Sequence, residues 1–518
     1  MVFTSTTLVW LPIGIVIFYV SYQRLFHPLA KFKGPFLASL TGYWRVYHEL
    51  KGDLPQTIYH YHQRYGQFVR VAPNEISTIS PDFVDVVLKG GPKFIKSSFY
   101  DGSGDEKPNI FNVKNEALHK LRHRQMAPAF SVVSLTKMEY IFDRHAFVMI
   151  KKLDQIAKSG RPVDLTEIFK FFAHDTNGEL SFSKQYHLQE QGKLSLWPPM
   201  NVYIIMGNIC GYVPGLFDPL QKLGPFVPYL RKFNRSRDSL VEDAMKNATI
   251  EFEKRRVHNV EATFEDKSES RINLLTSLVM AQDPESGEML DLADIAKEAI
   301  SFVVAGSHST SASMSFLFAA LLRYPEILKK VQDEIKASMS LQDNSVDLDG
   351  EFLPSWAGLQ SKLPYLSAVL KESFRLYPTV NQPLARVIPP SGVQLEQTVF
   401  SSGTIISASA YVVGRNQKIW GANATDFKPD RWLSEDARGK DKYLLHFGQG
   451  HRSCIAKNQA LITLWKGTVA ILQRFKLSPV DREGEQRVVG EIQLNAQGFA
   501  EPTEPLLVTI SEQSRCMK

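Results

Sequence analysis

The sequence predicts a mainly helical protein with small β-sheets, an α+β fold, preceded by a single N-terminal transmembrane helix. Three observations carry that prediction. Residues 1–23 hold no Lys, Arg, Asp or Glu and are largely apolar. Long segments with apolar residues at helical spacing then fill most of the 518 residues. Strand-like alternation is confined to two short stretches, 68–79 and 386–410.

Composition narrows the function. With 44% hydrophobic and 22% charged residues the chain is an ordinary globular one, which excludes collagen-like and wholly disordered classes. The net charge of +6 comes without a basic block, which argues against nucleic-acid binding. Three cysteines, Cys210, Cys454 and Cys516, match neither a disulfide framework nor a zinc pattern, so the body belongs in a reducing compartment.

The first element is the apolar run at 7–22, with Trp10, Phe18, Tyr19 and Tyr22 as interfacial aromatics. Arg24, His27, Lys31 and Lys33 follow it, which by the positive-inside tendency turns this end to the cytosol. A cleaved signal peptide is the competing reading, but the positive charges follow the apolar run and no small-residue cleavage site is present. The expected organisation is an anchor at 1–23, a basic, proline-stiffened hinge at 24–35 and one catalytic domain at 36–518, with endoplasmic reticulum membrane as the location. Sequons at Asn234, Asn247 and Asn423 would then be unmodified.

After the hinge, 68–79 reads as two short strands turning at Pro73 and Asn74. Helices are expected at 119–126, 132–158 and 239–256. A long segment at 290–322, apolar on nearly all sides and closed by Pro325, reads as a helix through the middle of the protein. Pro364 opens a helix to Tyr377, Gly392 and Gly403 mark turns, and a last helix is expected at 455–475. The stretch 195–233 crowds Trp197, Tyr203, Ile204, Ile205, Met206, Tyr212, Leu216, Phe217, Phe226 and Tyr229 among Pro214, Pro219, Pro225 and Pro228. It reads either as packed short helices or as a lid touching membrane and substrate.

The chemistry centres on Phe447–Ala460, FGQGHRSCIAKNQA. Gly448 and Gly450 remove side chains just before Cys454, Arg452 adds a fixed positive charge, and a helix expected directly after the cysteine would favour a thiolate. A thiolate in that setting suits an axial ligand of haem iron.

This loop resembles the haem-binding segment of the cytochrome P450 family, F-x-x-G-x-R-x-C-x-G, with Phe447, Gly450, Arg452 and Cys454 on its positions and Ala456 in place of the last glycine. Three further segments follow the family's pattern. KESFR is similar to its E-x-x-R pair, with Glu372 and Arg375; FKPDRW would supply Arg431 to complete a buried charge triad. AGSHST, Ala305 to Thr310, is similar to A-G-x-[D/E]-T, where Gly306 would loosen the helix beside the iron. Here His308 stands at the acidic position and Ser309 at the threonine position, with Thr310 next. Gly414, before Arg415, is another departure, since relatives often carry His there.

The resemblance implies a fungal microsomal haem-thiolate monooxygenase with haem b. Cys454 would bind the iron. Phe447, Gly450, Arg452, Arg386, His119 and His123 would line the cofactor, with Arg122 and Arg124 as competitors of the two histidines. His308, Ser309 and Thr310 would serve proton delivery, a role open to histidine near neutral pH; alternatively His308 only bonds backbone or touches substrate. Val304, Ala305 and Phe499, with the 97–111 and 380–384 segments, would border an apolar small-molecule substrate, an intermediate of fungal secondary metabolism. Dioxygen is the co-substrate. The chain lacks a dinucleotide-binding fingerprint, so electrons would come from NADPH through a flavoprotein reductase. Lys120, Arg122 and Arg124 would offer that donor a basic face, or form a simple solvated helix face. A haem isomerase or dehydratase, a non-catalytic haem sensor and a cofactor-free membrane protein are the alternatives.

Overall fold

The computed structural model describes residues 5–104, 108–193, 200–261, 273–339 and 353–513. Trp197 and Cys516 lie outside the described residues.

The N-terminal helix runs Ser5–Ser21, 17 residues with Pro12 inside it. That is about 25 Å of rise. Trp10, Leu11, Ile15 and Phe18 are exposed on it. Among the described residues no helix is long and apolar enough to cross a membrane. The chain then packs onto the body. Buried Arg70 donates to the carbonyl of Gln23 at 2.7 Å, to its Oε1 at 2.6 Å and to the Pro73 carbonyl at 2.6 Å. The Arg70 amide donates to Lys33 at 2.9 Å, and a Cβ on Gly34 would sit 2.1 Å from the Arg70 carbonyl. The hinge segment thus lies along the first strand.

Strands Phe68–Ala72 and Glu75–Thr78 form an antiparallel hairpin turning at Pro73 and Asn74. Glu75–Thr78 pairs in parallel with Ile405–Ser407, which pairs antiparallel with Arg386–Val387, closing a four-stranded sheet. A second sheet sets Leu507–Glu512 between Val163–Asp164 and Phe475–Pro479. A two-stranded ribbon, Leu494–Asn495 with Glu501–Pro502, carries Phe499 at its turn.

Helices make up the rest. The central helix, Leu292–Arg323, is capped by Asp291, whose side chain accepts from the Asp294 amide at 2.7 Å. It stops at Tyr324 (φ −120°, ψ 80°) because a residue before proline avoids the helical region. Pro325 does more than close it: as the first residue of Pro325–Met339 it starts the next helix. The Leu165–Phe182 helix, buried along almost all its length, packs against the central helix. The expected 132–158 helix is two, Val132–Lys137 and Glu139–Ser159, parted at Met138. In the 195–233 region the prolines separate Met200–Tyr212, Phe217–Leu223 and a helix from Pro228 to Glu261. Met206, Cys210, Tyr212 and Leu230 are buried there, as packed short helices require, whereas Leu223, Phe226 and Val227 are exposed.

Candidate functional site

The cysteine loop is shaped by its own backbone. Gly448 and Gly450 have φ of +66° and +74°, where a side chain is strained. A Cβ on Gly450 would lie 2.1 Å from the Leu88 carbonyl, so this glycine answers to the chain itself and not only to a flat ligand. The Cys454 amide donates to the Phe447 carbonyl at 2.8 Å, closing the loop. The last helix begins at Lys457, two residues later than expected, and Ala456 is its N-cap. With φ −88° and ψ 14°, Ala456 bears its methyl without strain. Burial pushes the Cys454 thiol up, opposed by a hydrogen bond from the Ala456 amide and by the Lys457 charge. The side chain itself is exposed although the Phe447 and Ala456 backbones enclose it.

Behind the loop lies a carboxylate with five donors. Glu372 and Arg375, both fully buried on helix Pro364–Leu376, are joined by Nε at 2.8 Å and Nη2 at 2.7 Å. Arg431 Nε, the Lys428 amide and Trp432 Nε1 add bonds of 2.9, 2.7 and 2.9 Å to the same carboxylate. Arg375 also donates to the Gly414 carbonyl at 2.5 Å and to those of Ala424 and Asp426. Gly414 is required there: a Cβ would fall 2.1 Å from the Arg375 carbonyl. The group welds this helix to the 424–432 segment with no acceptor or donor stranded.

A cationic cluster forms a second wall. Arg452, its side chain 1% exposed, reaches Glu116 Oε1 at 2.7 Å and the Val113 carbonyl at 2.8 Å. His451 Nε2 meets the other Glu116 oxygen at 3.0 Å. The His119 ring lies 5.8 Å from His123 and 6.2 Å from His451. Burial, then Arg452 and Lys96, hold His119 down at about 3, so it is a neutral donor. Arg122 and Arg124 are not its competitors: Arg122 pairs with Asp294 and Glu298 on the central helix, Arg124 with Asp283 and Glu285. Arg122 is buried, whereas Arg124 is half-buried and Lys120 exposed.

Sequence reasoning missed Lys96. It is buried, bridges Arg386 in a β-pair, donates to the Phe111 carbonyl and lies 4.3 Å from the centre of the Tyr100 ring. Burial, then the charges of Arg386 and Arg452, push its ammonium well down. Arg386 donates to the Ala385 carbonyl at 3.0 Å. Among the described residues no carboxylate pairs with Lys96 or Arg386. Only the KFIKSS lysines just ahead of the 97–111 loop could have signalled it.

On the central helix, Ala305 is exposed and Ser309 half-buried, one turn apart on one face, with Ser309 Oγ donating to the Ala305 carbonyl at 2.5 Å. Thr310 is buried about 100° around the helix. Val304 is buried in the main core and not at an open surface. Gly306 lies under Asn177, whose side chain would be 2.6 Å from an added Cβ; its role is close helix packing within an unbroken helix, not loosening. Asn177 in turn accepts from Gln459 of the last helix at 2.6 Å. His308 is in ion-pair contact with Glu501 and stacks on Phe499 at 5.6 Å between centroids. The 380–384 segment meets the same turn through Gln382, which donates to the Gly498 carbonyl at 2.9 Å.

A family model described as cytochrome P450 matches residues 33–508. The chain belongs to the cytochrome P450 family. Among its relatives is the cytochrome P450 monooxygenase mpaDE' of Penicillium brevicompactum, 29% identical across 93% of this chain and 56% of the relative. This P450 thus spans little more than half of that relative's length. Two others match over most of theirs: asR2 of Sarocladium schorii, 28% identical across 89% of both chains, and gsfF of Penicillium aethiopicum, 28% identical across 90% of this chain and 92% of the relative. Both are described as cytochrome P450 monooxygenases.

Haem b is the cofactor of this P450, and the residues present fit it. Two buried cations without carboxylate partners, Lys96 and Arg386, stand beside Arg452 and neutral His119, a donor set suited to the cofactor's two carboxylates. When bound, haem supplies the redox chemistry of oxygen activation.

Proposed function

We propose that this P450 is a haem-thiolate monooxygenase that oxidises an apolar small molecule, an intermediate of fungal secondary metabolism. Cys454 is the iron ligand, and the observation that carries this reading is its loop. The thiol is accessible and is bonded from the Ala456 amide, and Arg452 of the same loop stands by Lys96, a buried cation with no carboxylate partner among the described residues. Arg386, Arg452, Lys96 and His119 hold the cofactor, with His123 behind His119; Phe447 and Gly450 shape the loop. Glu372, Arg375 and Arg431 keep the fold behind it. Ala305 and Phe499 border the substrate, and Ser309, with His308, moves protons at the helix face beside it.

Electrons come from NADPH through a flavoprotein reductase. The anchor at 1–23 holds the 36–518 domain on the cytosolic side of the endoplasmic reticulum membrane through the 24–35 hinge. The exposed apolar side chains of Ser5–Ser21 and the basic residues after it support that placement. The relatives, cytochrome P450 monooxygenases of Penicillium and Sarocladium, support the fungal setting.

Co-expression with a reductase and incubation with metabolite extracts of the producing fungus tests the reading. It predicts one product heavier by oxygen or changed by oxidation, with NADPH and oxygen consumed in step. His308 at the acidic position favours a second reading, a haem isomerase or dehydratase; product formed without NADPH would establish it.

A further inference from the structure

The central helix lacks the carboxylate that its motif usually carries, yet a carboxylate stands against it. Glu501, on the ribbon strand Glu501–Pro502, contacts His308 Nε2 through Oε1, and its Oε2 lies 3.0 Å from Lys170 Nζ on the Leu165–Phe182 helix. His308 Nε2 and Glu501 Oε1 are in direct contact. Glu501 and Lys170 also line a polar cavity of about 150 Å³, together with Asp164, Thr166 and Ser315. Its rim residues Thr503 and Glu504 are exposed, and the space is large enough for several waters. Ala312 and Ser315, one and two turns beyond His308, face the same cavity.

We propose that Glu501 replaces the missing helix acid and passes protons from this cavity to His308. The inference rests on the oxygen-inserting reading above. A proton from cavity water adds to a Glu501 oxygen. That O–H bond then breaks as Nε2 takes the proton, and the electron pair stays on the carboxylate. The Nδ1–H bond then breaks, its electron pair staying on the ring, and the proton passes to a water at the helix face that bears Ser309. One proton moves inward and no electron is transferred. Burial alone would push the Glu501 carboxyl up, but His308 and Lys170 outweigh it and hold it at about 2, so it returns to the ionised state between transfers. The other charged or titratable groups facing the site are His174, held neutral at about 3 by burial, and Asp164 and Glu504 on the cavity.

The test uses full-length holoenzyme with a reductase, NADPH and lauric acid as an apolar probe. Glu501→Gln should keep the wild-type ferrous–CO spectrum and melting temperature, yet lower oxygen consumption roughly tenfold and raise its solvent deuterium isotope effect, with Glu501→Asp within about twofold of wild type. A readout independent of turnover is the infrared carboxylate band of ¹³C-labelled glutamate, assigned by its loss in Glu501→Gln. In His308→Gln that band should protonate at higher pH than in wild type. Glu501→Gln with unchanged turnover and isotope effect, or a band indifferent to His308, overturns the proposal. Wild-type protein that consumes neither NADPH nor oxygen overturns the monooxygenase reading and this proposal with it.

Discussion

Lys96 and Arg386 are paired across an isolated antiparallel bridge, so two buried cations share one strand edge. Like charges so placed repel, and a dianionic cofactor held there would compensate them. Lys96→Met should therefore act in opposite directions on the two forms. Apoprotein should melt at a higher temperature than wild type. Holoprotein should lose haem faster, by roughly tenfold, the equivalent of one charge-assisted hydrogen bond. Haem transfer to a scavenging apoglobin and melting of both forms measure this.

Glu372→Gln leaves Arg375 and Arg431 buried with a weaker partner. Breaking such a network costs about 3–5 kcal/mol. Denaturant titration should show that loss together with poor haem incorporation, while any holoprotein that does form should show normal thiolate spectra.

Glu49 gives a pH dependence with a definite sign. Its Oε1 accepts from Asn208 at 2.7 Å and from the Gly498 amide at 2.9 Å, joining Tyr43–Lys51 to Met200–Tyr212 and the Phe499 turn. Burial pushes its carboxyl up from 4.5 to about 7 against these donors. Between those values the unfolded chain has released a proton that the native state keeps, so stability falls as pH rises, by on the order of 3 kcal/mol. Glu49→Gln should melt above wild type near pH ~8, and the difference should vanish near pH ~5.

Ser309→Ala removes the hydroxyl beside Ala305. Product formed per NADPH should fall severalfold and peroxide should rise in its place, read by parallel product, NADPH and peroxide assays. Unchanged stoichiometry would take Ser309 out of proton delivery.

Local chemistry was legible where one segment states it whole. The hairpin at Pro73–Asn74, the central helix and the Glu372–Arg375 spacing could all be read directly. So could the loop residues Phe447, Gly450, Arg452 and Cys454. What escaped depends on distant segments meeting. Glu501 lies 193 positions from His308, and Lys96 lies 290 from Arg386, differences of their residue numbers. No pattern in either stretch announces the pairing. Arg122 and Arg124 looked like a free basic face because their partners, at 283–298, lie in the loop before the central helix and on that helix. A glycine misled for the same reason: Gly306 is explained by Asn177, not by its own motif.

Thiolate ligation by Cys454 is the claim on which the account depends, and the ferrous–CO spectrum of the purified full chain measures it most directly. The account predicts the strongly red-shifted Soret band of a thiolate-bound haem, lost in Cys454→Ser. A band at the position of histidine-ligated haem, or a spectrum that Cys454→Ser leaves unchanged, would contradict it.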